Sequence, residues 1–343
     1  MPCPTYGPSL QKDTILITGG LDEECSSRLS STEIYPQTDC CSPPYLPSKR
    51  FAHTMFVTSE PAVVVAACGG KIVYDEITSS CLVLDPIEQR WDENRMGSLT
   101  KPVSWGKAVQ LENIGVFIFG LDSSKRYPVQ GASEFLPART MQWQEGPPLP
   151  DKETYTHPCA VAITPTSFLL IPHKKNLNIR EFDADLAGPT SSEGWLEEGG
   201  WPTPNFDRTV HCAKIDQKVI LSGDSGAGLS GESFSTEILD LMTRRITTGS
   251  PMTPQRWSFQ AVSMYREGAE VALNLAGSFN NYFYYNYIKQ PVGLSASLDL
   301  VEQWDAESSS WKLVDRLAER RCAFAAVALP RHYVCPASGS FVD

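Results

Sequence analysis

Ile15-Leu16-Ile17-Thr18-Gly19-Gly20 decides the fold: a short run suited to a buried strand, closed by two glycines. Close variants recur along the chain. They are Val63-Val64-Val65-Ala66-Ala67-Cys68-Gly69-Gly70, Val116-Phe117-Ile118-Phe119-Gly120, Phe168-Leu169-Leu170-Ile171-Pro172, Val219-Ile220-Leu221-Ser222-Gly223 and Leu273-Asn274-Leu275-Ala276-Gly277. Successive copies stand about 50 residues apart, a period that marks a propeller or a solenoid. Each unit is too small to bury both of its faces alone, so neighbouring units must cover each other.

Other positions keep the same phase. A polar-to-apolar step follows each copy: Glu33-Ile34-Tyr35, Leu82-Val83-Leu84-Asp85, Glu134-Phe135, Glu181-Phe182-Asp183, Glu237-Ile238-Leu239-Asp240 and Glu302-Gln303-Trp304-Asp305. Trp91, Trp143, Trp195 and Trp311 come next, with Cys41 in that slot of the first unit and Ile246 in the fifth. A further apolar strand then opens on an Arg or His: Arg50-Phe51-Ala52-His53, Tyr155-Thr156-His157, Arg208-Thr209-Val210-His211, Arg256-Trp257-Ser258-Phe259 and Arg321-Cys322-Ala323-Phe324. The third unit departs from this, with Trp105-Gly106-Lys107.

A diglycine after one strand, a tyrosine-like residue on the next and a tryptophan on the one after that resemble the kelch repeat. The resemblance spans about residues 12–330, although the fourth unit has Pro172-His173 for its glycines and the fifth lacks its tryptophan. It implies an all-β chain, one domain over residues 1–343, with six blades of four antiparallel strands, a to d from the axis outward. The N-terminus begins on a strand b and the C-terminus ends on a strand a. One composite blade is therefore expected, with strand a from the C-terminal end and strands b–d from the N-terminal end, which leaves no open edge.

Alternating strand directions put the d–a and b–c loops on one face. Arg50, His53, His157, Arg208, His211, Arg256 and Arg321 are expected to converge there, an Arg-lined rim suited to a carboxylate or an acidic peptide. The alternative is local pairing with backbone or glutamates, repeated because the repeat is. The sixth unit carries an insertion in its b–c connection that includes Tyr282, Phe283, Tyr284, Tyr285 and Tyr287. Tyrosine-rich loops bring contact area at low rotamer cost, so these residues are candidate binding residues on the same face. His53, His157 and His211 hold equivalent places in three blades, too far apart for a shared metal, and no metal or other cofactor is expected.

Ten cysteines include no CxxC pair, which removes the zinc and thioredoxin readings. In an oxidising compartment Cys3 and Cys335, which flank the closure, are placed to bridge it, and Cys68 and Cys81 lie on adjacent strands. Cys159, Cys212 and Cys322 read as small buried residues of inner strands. The first residues lack the pattern of a signal peptide, so the expected location is the cytoplasm, or outside the cell if a signal has been removed.

A net charge of −11 argues against nucleic acid and anionic membrane surfaces, and no apolar run is long enough to insert in a bilayer. The expected function is non-catalytic binding of a protein or peptide partner with acidic groups, by a monomer. The alternatives are a propeller enzyme or a small-ligand protein using the central channel. Gly223-Asp224-Ser225-Gly226 resembles a serine-protease nucleophile motif, but it follows a strand b, where a turn is expected, and no oxyanion frame accompanies it.

Overall fold

The computed structural model describes residues 12–38, 41–58, 63–73, 76–122, 130–150, 157–173, 177–196, 200–206, 209–224, 234–278 and 297–335. Six small antiparallel sheets are arranged as a six-bladed β-propeller. The first blade contains β1 (Thr14–Thr18) and β2 (Thr32–Tyr35). The second contains β3 (Thr54–Thr58) and β4 (Val64–Cys68), a small hairpin of β5 (Lys71–Val73) and β6 (Glu76–Ile77), then β7 (Cys81–Asp85) and β8 (Arg90–Asp92). The third contains β9 (Val103–Leu111), β10 (Gly115–Asp122), β11 (Gln130–Pro137) and β12 (Gln144–Glu145). The fourth contains β13 (Cys159–Ala162), β14 (Ser167–Ile171) and β15 (Arg180–Asp183), followed by a short helix α1 (Ala184–Ala187). The fifth contains β16 (Val210–Ile215), β17 (Lys218–Asp224), β18 (Phe234–Asp240) and β19 (Arg245–Gly249). The sixth contains β20 (Gln260–Arg266), β21 (Ala269–Ser278), β22 (Ser297–Asp305) and β23 (Ser310–Arg321). The last strand, β24 (Ala325–Leu329), pairs with β1 in the first blade, Leu16 opposite Val327. The first and fourth blades show three strands among the described residues, where four were expected; in the fourth, only a bridge between Phe182 and Trp195 stands in the outer position.

The strand period of two explains the ring. Side chains alternate between two faces, and each face of a blade meets a different neighbour. Ile15 and Ile17 pack with Leu273, Leu275 and Val301 of the sixth blade. Leu16, between them in sequence, packs with Val65, Leu82 and Trp91 of the second. Among the described residues, six apolar clusters of this kind fill the six gaps between adjacent blades, so both faces of every sheet are covered. That is why the strands read as near-continuous apolar runs. The innermost strands β24, β3, β9, β13, β16 and β20 touch in turn, and β20 touches β24 again.

The diglycines work between blades. Gly19 and Gly20 have φ of +58° and +99°. A Cβ on Gly19 would stand 2.4 Å from the Arg50 carbonyl oxygen, and one on Gly20 would stand 2.7 Å from that of Cys322. Gly20 N–H donates to the Arg50 carbonyl and Gly70 N–H to that of Val103, so each anchor receives the chain as it enters the next blade. Two of the periodic tryptophans do related work. The Trp91 indole donates to the Pro44 carbonyl at 2.9 Å and the Trp195 indole to that of Pro148 at 2.7 Å, each fastening the outer edge of its blade to the chain before it.

Candidate functional site

The arginines do not form an open rim. Arg50, Arg256 and Arg321 are at most 1% exposed. Each lies just before its inner strand and turns into its own blade. Arg321 pairs with Glu33 at 2.8 Å and Glu319 at 2.7 Å, and donates to the Gly19 carbonyl. Arg256 pairs with Glu302 at 2.7 Å and donates to the Asn274 carbonyl. Burial pushes the Glu302 carboxyl up and the Arg256 guanidinium down to about 10, and their mutual attraction opposes both shifts. In the second blade Leu82 stands on the third strand where others carry glutamate, and Arg50 donates instead to Ser48, Ser80 and the Gly69 carbonyl. The local-pairing alternative thus describes these three residues, because a buried guanidinium must be matched from within. Arg208 lies outside the described residues.

Left-handed residues fix the correspondence between blades. Ala52, Trp105, Ser258 and Ala323 have φ of +54°, +56°, +52° and +53° and stand at one position. Counting from them, Val103 occupies the arginine slot of the third blade, Gly106 the histidine slot and Lys107 the next. Glu134, left without an arginine, takes the Thr100 N–H and hydroxyl and the Lys101 N–H.

His53, His157 and His211 do converge near the axis. All three line one narrow cavity with Trp105, Lys107, Gln260 and Phe324. Above all, burial lowers the pKa of each: His157 falls to about 3, aided by His173 and Lys71. His53 and His211 fall well below the usual value, His53 also under Arg50 and Arg321, His211 also under Lys107 and His157. All three are therefore neutral at pH 7. His53 Nε2 lies 2.7 Å from the Thr18 hydroxyl oxygen. Among the described residues no three His, Cys, Asp or Glu side chains form a metal-ligand set.

Lys107 is the site residue the repeat pattern hides. It lines the narrow cavity and also a wider one of about 200 Å³ along the axis, walled by the inner strands, including Met55, Ala108, Val262 and Val327. Its ammonium donates to Gln260 Oε1, and Gln260 Nε2 donates to the Phe324 carbonyl at 2.8 Å. Burial lowers Lys107 to about 8. No Asp or Glu lines either cavity among the described residues.

Tyr282, Phe283, Tyr284, Tyr285 and Tyr287 lie outside the described residues, but both feet of their connection are fixed. Ser278 exchanges two backbone hydrogen bonds with Trp257, both 2.8 Å. Ser297 donates its N–H to the Glu23 carbonyl and its hydroxyl to that of Asp22, which ties Ser297 itself to the first blade's b–c loop.

Four disulfides join described cysteines. Cys68–Cys81 links adjacent strands, as the sequence led us to expect. The proposed Cys3–Cys335 bridge is overturned, since Cys335 is bonded to Cys41; Cys3 lies outside the described residues. Cys159, Cys212 and Cys322 are not merely small buried residues. Cys159 is bonded to Cys212, joining the fourth and fifth inner strands, and Cys322 to Cys25. Cys25–Cys322 and Cys41–Cys335 both tie the two ends of the chain together.

No protein-family model matches the chain, and no curated protein matches it.

Proposed function

We propose that the chain is a divergent kelch-type propeller, closed by a composite blade, that binds a protein or peptide partner without doing chemistry on it. The contact face is the one formed by the d–a and b–c loops. The observation that carries this reading is the anchoring of Ser278 and Ser297, which springs the tyrosine-rich connection from that face beside the first blade's b–c loop. A propeller suits the role, since loops there can vary without disturbing the packed sheets. The arginines are engaged internally and give no support to a preference for acidic partners. Four disulfides support an oxidising compartment as the place of work.

The test is to replace residues 280–287 by a Gly-Ser linker of equal length and compare captured partners after cross-linking in native fluid. The expected result is loss of the wild-type partner with an unchanged melting temperature. Capture at the wild-type level would remove the connection from the contact surface.

A further inference from the structure

The molecule is acidic, with a net charge of −11, yet its axis holds a cation facing no carboxylate among the described residues. Lys107 has three N–H donors and uses one on Gln260. Lys107 is partly buried, and a charge drawn out of water without a counter-charge is disfavoured unless something else supplies the opposite charge. A second observation points to the same place. His53 and His211 are 2% and 9% exposed, and the Nδ1 atom of each has no hydrogen-bond partner. The Thr18 hydroxyl lies between His53 Nε2 and the Met55 sulfur, at 2.7 and 3.0 Å. An imidazole nitrogen is the far better acceptor, so the hydroxyl donates to Nε2 and the ring proton of neutral His53 sits on Nδ1. Both rings line the narrow cavity into which Lys107 also reaches.

Beside this polar knot the wall of the wider cavity is mixed, with Lys12, Thr54, Ser263 and the Cys159–Cys212 disulfide around an aliphatic stretch. Met55, Ala108, Ala160, Val262, Val327 and Ala328 line the wider cavity next to it. Its volume of about 200 Å³ is below the roughly 300–1,000 Å³ of pockets for drug-sized ligands, so the occupant is small.

We infer that the central channel binds a small aliphatic carboxylate, its oxygens on Lys107 and the His53 and His211 ring nitrogens and its alkyl body on the wall of the wider cavity. Such a ligand supplies the missing negative charge and partners for the orphaned nitrogens together. This site is separate from the proposed loop face, and either reading can fail without the other.

Calorimetric titration of the intact, oxidised protein tests it. Butyrate stands for a free acid, N-acetyl-Ala-Val for a peptide's terminal carboxylate, and butanol and inorganic phosphate serve as controls. Saturable one-to-one binding is expected for one of the two carboxylates, and which one identifies the source. Butanol, lacking charge, and phosphate, lacking an alkyl body, should each bind at least about tenfold more weakly, the effect of losing a charged hydrogen bond or the apolar contact. Lys107→Met should weaken the carboxylate by a similar factor or more, and Lys218→Met, on the exposed start of β17, should leave it unchanged. As a check independent of any variant, the bound acid should protect Lys107 of the wild-type protein from reductive methylation. Absence of binding by both carboxylates, equal binding of phosphate, or unchanged affinity in Lys107→Met would each overturn the inference.

Discussion

The seam where the chain ends meet and the channel at the axis treat their inward-facing cations in opposite ways. At the seam Arg321 is fully buried, with two carboxylates, a carbonyl and the Ser31 hydroxyl around it. The Cys25–Cys322 disulfide starts at the next residue, and Cys41–Cys335 ties the chain ends beyond the other end of β24. In the channel Lys107 has one amide oxygen. The same repeat produces both. A glutamate on the third strand of a blade faces the residue just before its first strand, and where that residue is arginine the two form an internal rivet. In the third blade the slot holds Val103, Glu134 turns to backbone donors, and the nearby cation points to the axis instead. A charge matched inside its blade serves the fold, and an unmatched one is left for a ligand.

The largest expected effect concerns the seam disulfides. Each closes a loop of nearly the whole chain, worth about 6 kcal/mol in the chain-entropy view. With one formed, the other closes only a ring of roughly 30 residues, worth about 3–4 kcal/mol. Replacing either pair by alanine should therefore cost about 3–4 kcal/mol, and replacing both about 9 kcal/mol, measured by urea denaturation. Strictly equal, additive losses would show that the two bridges do not share the task of closing the ring.

The comparison itself is tested by two substitutions of opposite sign. Arg321→Met leaves Glu33 and Glu319 facing each other without their cation and should destabilise by about 3–5 kcal/mol. Lys107→Met removes a charge that burial disfavours and should stabilise the unliganded protein by up to about 3 kcal/mol at pH 7. The folded pKa of Lys107 lies below the unfolded one, so the unfolded chain binds more protons between about pH 8 and 10.5, and wild-type stability rises there. The advantage of Lys107→Met should shrink over that window in parallel denaturation curves. A destabilised Lys107→Met would mean that the ammonium is matched after all.

The blades were legible because they rest on short-range physics. A period-two apolar run bounded by glycines names a strand packed on both faces, and six copies at one spacing name the ring. The arginines' partners were also within reach: Arg321 and Arg256 each precede the first strand of a blade, and Glu33 and Glu302 sit on the third strand of those same blades. Lys107 was hidden because Trp105-Gly106-Lys107 looks like a damaged copy of Arg-x-x-His. Only the left-handed residue at Trp105 reveals that the copy is displaced by one position. Disulfide connectivity depends on which loops meet at the seam, and spacing does not report it; Cys41 and Cys335 come together because one follows the first blade and the other follows β24.

The smallest effect concerns the histidines. His157 is held to about 3, chiefly by burial, against an ordinary value of 6.5. Below pH 6.5 the unfolded chain takes up a proton that the folded one refuses, so stability is lost as pH falls. For this one residue the loss between pH 7 and 5 is about 2 kcal/mol. Burial raises Glu33, Glu134, Glu237 and Glu302, which shifts stability the other way on acidification, so the raw slope of the wild type mixes the two. His157→Gln keeps a polar side chain without the titration. Its stability relative to wild type should improve by about 2 kcal/mol on going from pH 7 to 5. If the difference between the two proteins does not move with pH, His157 titrates alike in the folded and unfolded chains, and the channel does not desolvate its ring.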